Sequence, residues 1–307
     1  MDIPVGFQQK IIGCFREEGE KWLAALPEKV AHYAEQWGLT IQVPVSNLSY
    51  NYVLFVEDLH GQPFVLKLGV PNFDCRNEMD TVQQYDGKGC ARLVKADREE
   101  GVMLLERLSP GTMLSDLQDE EEVLRIFLNT WKAIRRELPT DREIPMITDW
   151  AGSLTAYAAQ TDGKQEIPIE LIHKAQEYIN KIMEQPERHE LLHGDLHHEN
   201  ILYSEELGWL AIDPKGVGGD PCFDLISFMI NHLMEKNNPR ALLEYRVNRI
   251  SEELNLERIR LLETAVGLST LYACWAIEDH SDWQDTYQCA VWFNELLEET
   301  RINNLSC

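Results

Sequence analysis

The sequence predicts an α+β protein, a small antiparallel-sheet lobe followed by a larger helical lobe. Three observations predict it. Between residues 40 and 108 apolar and β-branched residues come in short strand-like runs, with one polar helical stretch inserted. A turn segment, SPGTML, carries Pro110 and Gly111 and closes that region. Beyond it the apolar spacing is helical almost to the C-terminus, interrupted by short β-prone runs around residues 191–213.

Each element has its own signal. From Phe7 to Trp37, Ile11, Ile12, Phe15, Trp22, Leu23 and Leu26 recur at helical spacing. Pro27 is expected to break that helix, and a second short helix ends near Gly38. LTIQVPV reads as a strand. YVLFVED and FVLKLGV flank LHGQP, with Gly61 and Pro63, as a hairpin. NFDCRNEMDTVQQYD reads as a helix, and CARLVKAD and GVMLLERL as two further strands around REEG. Helices are then expected from Asp119 to Glu137, from Asp149 to Thr161 and from Pro168 to Glu184. Strands follow at LLH, NILY and WLAID, and helix resumes from Phe223. The expected division is a helical segment at 1–39, a nucleotide-binding sheet lobe at 40–108 and a helical lobe at 109–307 that carries the chemistry.

Composition narrows the function. The chain has 307 residues, 44% of them hydrophobic, enough for a large core. With 52 acidic residues against 28 basic ones the net charge is −24, so a nucleic-acid backbone would be repelled and a cationic small molecule attracted. The same acidity also serves solubility. The seven cysteines are scattered and form no CxxC, which fits reduced thiols and not a zinc ribbon. No run approaches a membrane span and no signal-peptide pattern opens the chain, so a cytoplasmic location is expected. The sequence is silent on oligomeric state.

The chemistry concentrates in HGDLHHEN, His193 to Asn200. It lies between two short strands, and the next strand, WLAI, leads to Asp213 through Ile212. Asn200 and Asp213 are hard oxygen donors suited to Mg²⁺. Asp195, five residues before Asn200, suits the orientation and deprotonation of an attacking hydroxyl. Such a site also needs a strand lysine for the phosphates and a helix acid to hold it. Lys67, in FVLKLG, and Glu78, on the following helix, fill those places. Alone, Lys67 would read as an exposed strand lysine; its position upstream of the full loop reverses that reading. Asp74 and Asp80 are neighbouring helix acids.

The order of lysine strand, glutamate helix, H-x-D-x-x-x-x-N loop and strand-Asp resembles the protein-kinase-like fold, bilobal with an antiparallel-sheet first lobe and a helical second lobe. HGDLHHENIL followed by AIDPKGVGGDPCFDL resembles the aminoglycoside and hydroxyurea resistance kinases, the family that includes streptomycin 6-phosphotransferases. The resemblance spans roughly residues 40 to 280 and is sharpest between His193 and Leu225. It implies ATP and Mg²⁺ as cofactors, Asp195 as catalytic base, Asn200 and Asp213 as metal ligands, and Lys67 on the phosphates with Glu78 as its partner. It implies that the backbone of Leu105, Glu106 and Leu108 faces the adenine, that His193 is a scaffold residue, and that Asp224 holds the catalytic loop by hydrogen bonds to its backbone. The acceptor would be a small, hydroxylated, cationic molecule of the streptomycin type, met by Glu278 and Asp279 beside aromatic residues, with Asp220 and Glu199 as further candidates. One departure is plain. VSNLSYNYVLFV contains no glycine where protein kinases carry G-x-G-x-x-G. Ser46, Asn47, Ser49 and Asn51 are the donors on offer there, and ATP and GTP both stay open as the nucleotide.

Competing readings leave different marks. A metallohydrolase would use His193, His197 and His198 as zinc ligands, but H-x-H-x-D-H and H-E-x-x-H are both missing, so loop-shaping roles are expected for His197 and His198. A pseudokinase would have lost a catalytic residue, and none is lost. A kinase of another hydroxylated metabolite would share every motif. Cys222 reads as a buried small residue, and Leu271, Trp275, Ile277 and Trp283 as core. Only about ten residues separate Asp213 from Asp224, too few for a peptide-binding activation segment.

Overall fold

The computed structural model describes residues 3–46, 48–159, 166–185 and 188–305. They fall into two compact units: residues up to 112 with 202–213, and residues 113–201 with 214 onward.

The first unit is built on a five-stranded antiparallel sheet in the order β1-β2-β3-β5-β4. Its strands are β1 (Leu39–Pro44), β2 (Tyr52–Asp58), β3 (Pro63–Leu68), β4 (Leu93–Asp97) and β5 (Val102–Glu106). The two-residue period of the strands sorts the side chains onto two faces. Tyr52, Leu54, Val56, Leu66, Leu68, Val102 and Leu104 pack against α1 (Val5–Trp37). Met103 and Leu105 point the other way, onto Cys75, Met79 and Val82 of α2 (Phe73–Tyr85), which joins β3 to β4. Lys67 alternates with Leu66 and Leu68, so the same period turns it to the α2 face.

The break expected at Pro27 does not occur; α1 runs through it. A proline inside a helix costs about 3 kcal/mol. Leu23, Leu26, Val30 and Tyr33 are all buried on that stretch, and each such side chain contributes roughly 1.5–3 kcal/mol, so packing wins. The turn in α1 falls instead at Arg16, where φ is 51° and ψ −127°. There the chain doubles back so tightly that a Cβ on Gly19 would lie 2.7 Å from the Ile11 carbonyl oxygen. Glycine is required by that contact.

A second sheet, in the order β10-β9-β6, uses β6 (Pro110–Met113), β9 (Ile201–Ser204) and β10 (Gly208–Ala211). Strand β6 lies in the segment expected to be only a turn. Ala91, Leu108 and Leu210 pack together beside it.

The second unit is helical: α3 (Glu120–Ile134), α4 (Ile147–Trp150), α5 (Gly152–Ala158), α6 (Ile169–Met183), α7 (Asp224–Ile230), α8 (Pro239–Glu253), α9 (Arg258–Glu278) and α10 (Gln284–Leu305). The stretch read as one helix from Asp149 to Thr161 is thus two short helices, and its last residues lie outside the described ones. Helix α9 is buried along most of its length and packs on α5, α6, α7, α8 and α10. A small sheet in the order β11-β8-β7, from β7 (Arg136–Glu137), β8 (Glu190–Leu192) and β11 (Val217–Gly219), carries the HGDLHHEN loop at the end of β8. Among the described residues no helix is long and apolar enough to cross a membrane.

Candidate active site

In the first unit three charged groups meet on the α2 face of the sheet. Lys67 is 3% exposed. Its Nζ donates to Glu78 Oε1 at 2.6 Å and lies 3.1 Å from Asp213 Oδ1. Burial alone would lower the lysine's pKa, but Asp213 and Glu78 outweigh it and hold the ammonium above its ordinary value. Asp213 stands beyond the end of β10 with φ 58°, a left-handed conformation that aspartate tolerates better than most residues, and its side chain is half exposed. One ammonium is therefore shared by the helix acid and the strand-end acid that the motif placed 146 residues after Lys67 in the chain (213 − 67).

Leu105 and Leu108 are buried, and Leu105 pairs with Val65 and Leu93 across the sheet. Glu106 turns its carboxylate back to accept from Arg92 N at 2.6 Å. Of the four donors proposed for the glycine-free hairpin, Asn47 lies outside the described residues. Asn51 sits against Gly69, where an added Cβ would come within 2.5 Å of the Asn51 Oδ1.

In the second unit the loop after β8 is held from beneath. Asp224 begins α7, and its carboxylate accepts from His193 N at 2.8 Å and from Gly194 N at 2.7 Å. Desolvation pushes the Asp224 carboxyl up to about 6, against the pull of those two N–H groups. His193 is fully buried; its Nδ1 accepts from Asp195 N at 3.2 Å and its carbonyl from Lys215 N at 2.7 Å. Gly194 has φ +80°, and a Cβ there would lie 2.9 Å from Trp150 Cη2 and 3.0 Å from Val217 Cγ1. The turn that presents Asp195 thus admits only glycine.

Asn200 ties the far end of the loop to its start. Its Nδ2 donates to the Asp195 carbonyl at 2.9 Å, which commits the amide nitrogen and leaves the amide oxygen as a donor for a hard cation. The histidines of the motif shape this loop. His197 Nδ1 is 2.8 Å from Glu199 Oε2, and its Nε2 is 3.6 Å from Asp195 Oδ1. Glu199 also accepts from Asn231 Nδ2 at 2.7 Å and contacts His232, and these hydrogen bonds hold its carboxyl well below the usual range despite burial. His198 is buried, stacked 4.5 Å from Phe228, and desolvation pushes it down to about 2, so it is neutral. The Asn231–His232–Glu199 support was not foreseen, because Asn231 and His232 follow a helix end with no motif around them.

The acceptor-side expectations fall in two groups. Glu278 and Asp279 are exposed at the end of α9, and desolvation with the neighbouring Asp279 raises the Glu278 pKa. Asp220 is only 2% exposed; its carboxylate caps Cys222 N at 3.0 Å and is held by Arg260. Leu271 is core as expected, but Trp275 is only partly buried. Its indole donates to Ser153 Oγ at 2.9 Å, and its ring meets Trp150 at 5.4 Å and Tyr272 at 5.6 Å. This aromatic group adjoins the Asp195 turn through the contact of Trp150 with Gly194. Cys222 is buried and its thiol is pushed up to about 12 by desolvation, an unreactive state.

The family model for aminoglycoside/hydroxyurea antibiotic resistance kinases matches residues 36–280. The chain is 27% identical to the streptomycin 6-kinase of Streptomyces glaucescens over 286 residues, covering 92% of each. It is 29% identical to the hydroxyurea phosphotransferase of Kitasatospora aureofaciens over 266 residues, covering 85% of this chain and 76% of that protein. Among solved structures it is similar to a thermostable mutant of aminoglycoside phosphotransferase APH(4)-Ia in ternary complex with ADP and hygromycin B. That similarity has a TM-score of 0.62 at 13% identity, covering 87% of this chain and 97% of that one.

Proposed function

The chain belongs to the aminoglycoside/hydroxyurea antibiotic resistance kinase family, and from that premise we propose that it moves the γ-phosphoryl group of ATP to a hydroxyl of a cationic, streptomycin-type acceptor. The observation that carries the reading is the shared Lys67 ammonium, contacted by both Glu78 and Asp213. A buried lysine held in this way is a fixed positive charge, suited to orient the α- and β-phosphates.

The residues take the following roles. Lys67 binds the phosphates and Glu78 keeps it in place. The backbone from Leu105 to Leu108 receives the adenine. Asp213, with its half-exposed carboxylate, and Asn200, with its amide oxygen, are each the kind of hard oxygen donor that magnesium takes. Magnesium, when bound, neutralises triphosphate charge. Asp195 orients the acceptor hydroxyl and takes its proton as the oxygen attacks the γ-phosphorus and ADP departs. The side chains of His193 and Asn200, hydrogen-bonded to the Asp195 backbone, and Asp224, which holds the His193 and Gly194 N–H groups, fix the Asp195 turn in advance, so most of the rate comes from positioning and electrostatics. Glu278 and Asp279 pair with guanidinium or ammonium groups of the acceptor, and the partly buried Trp275 offers a ring face to a cation.

ADP release, measured with ATP and a panel of streptomycin, other aminoglycosides, hydroxyurea, choline and amino sugars, tests the reading. Turnover with streptomycin-type cations is expected. Turnover with neutral acceptors alone would overturn the link from acidity to a cationic substrate.

A further inference from the structure

A second candidate binding site lies wholly within the helical unit. A cavity of about 530 Å³ is lined by residues of α3, β8, α8, α9 and the 220–222 segment. That volume is ordinary for a small-molecule site. In a chain of net charge −24 its lining carries four cations, Lys132, Arg135, Arg188 and Arg260, against three acids, Glu190, Asp220 and Glu253.

The pairing inside the wall leaves positive charge over. Arg135 holds Glu190 through both oxygens, and Arg260 holds Asp220. Glu253 is taken by Arg249, outside the lining, at 3.2 Å. Among the described residues neither Lys132 nor Arg188 has an acidic partner. Trp131, which also lines the cavity, is 4% exposed and its indole N–H has no acceptor. The Arg135 guanidinium stacks over the Trp131 ring at 4.6 Å, which makes that face of the wall cationic. Pro221, Leu254 and Leu256 add apolar surface.

Two of the three wall carboxylates belong to segments that carry the catalytic loop. Glu190 opens β8, which runs directly into His193. Asp220 stands four residues before Asp224, the residue that holds His193 N and Gly194 N. An anion in the cavity would compete with Glu190 for Arg135 and with Asp220 for Arg260, and so bear on both strands of that support.

We propose that this cavity is an effector site for a small organic anion, a phosphate ester or carboxylate on an apolar body, that acts on turnover through β8 and the 220–224 segment. The effect on turnover rests on the kinase reading; binding does not. Calorimetric titration of the full chain without magnesium or nucleotide, using phenyl phosphate, benzoate, inorganic phosphate and neutral phenol, decides binding. Phenyl phosphate or benzoate is expected to bind, phenol not, and Lys132→Glu/Arg188→Glu, which alters two exposed side chains, is expected to weaken binding at least about tenfold. Inorganic phosphate binding as tightly as phenyl phosphate would remove the apolar part of the assignment. No binding up to roughly 10 mM, or equal binding by the double variant, would overturn the site. Where the chain turns over an acceptor, saturating phenyl phosphate is expected to change kcat in the wild type and not in the double variant. An unchanged kcat in both would overturn the effector role.

Discussion

Lys67 and Asp224 are both buried ionisable groups, and they meet the cost of burial differently. Lys67 meets two carboxylates within 3.1 Å, and opposite charge overcomes desolvation, so the ammonium is held above its usual pKa. Asp224 is hydrogen-bonded by two backbone N–H groups, with the Arg135 cation acting on it more weakly. They offset desolvation in part, and its carboxyl ends up raised, to about 6. The sheet unit fixes its buried lysine by charge; the helical unit fixes its loop by backbone hydrogen bonds and steric fit. The Lys67 ammonium keeps its charge through neutral pH, and the Asp224 carboxyl is raised to about 6.

The largest expected effect breaks the charge clamp. Lys67→Met leaves Glu78, whose side chain is 13% exposed, without its cation. A loss of about 3–5 kcal/mol in unfolding free energy is expected by urea denaturation, recovered in part in Lys67→Met/Glu78→Gln. A double variant as unstable as the single one would show that Glu78 does not depend on the lysine.

The next effect sharpens the contrast through pH. Asp224 is easier to protonate in the fold than in the unfolded chain. Its stabilising contribution is therefore full below about pH 4 and is lost as pH rises through about 6. A shift of about two pKa units corresponds to roughly 3 kcal/mol. Lys67, raised above an unfolded value near 10.4, keeps its contribution until well above pH 9. Asp224→Asn, which does not titrate, should therefore gain stability relative to wild type between pH 4 and 7. A constant offset for Asp224→Asn would contradict the raised carboxyl.

The smallest of these effects is steric. Gly194→Ala places a Cβ 2.9 Å from Trp150 at φ +80°, and a loss of about 1–3 kcal/mol with a disturbed Asp195 turn is expected. Trp150→Ala in that background should relieve the clash but not the backbone strain, so thermal melts should show partial recovery.

The legible part of the molecule was the part with repeated or spaced signals. The two-residue period gave the five strands of the first sheet and the place of α2, and the H-x-D-x-x-x-x-N spacing singled out Asp195 and Asn200 with Asp213 beyond. What escaped has physical reasons. Strands β6, β7 and β11 have two to four residues, too short to show a period. Pro27 misled because local cost was weighed without the four side chains buried around it. The turn at Arg16 is marked only indirectly, by Gly13 and Gly19 three residues to either side, since neither glycine nor proline stands at the turn itself. Arg260, which engages Asp220, lies 40 residues from it in the chain, and no local pattern announces such a pair.

The most direct test follows the phosphorus itself. ³¹P NMR of ATP with a turned-over acceptor should show a phosphate ester and ADP appearing together for the wild type. Asp195→Ala should lose roughly 10²–10⁴-fold in that rate while its melting temperature stays near wild type. Ester formation at the wild-type rate by Asp195→Ala would contradict the account at its centre.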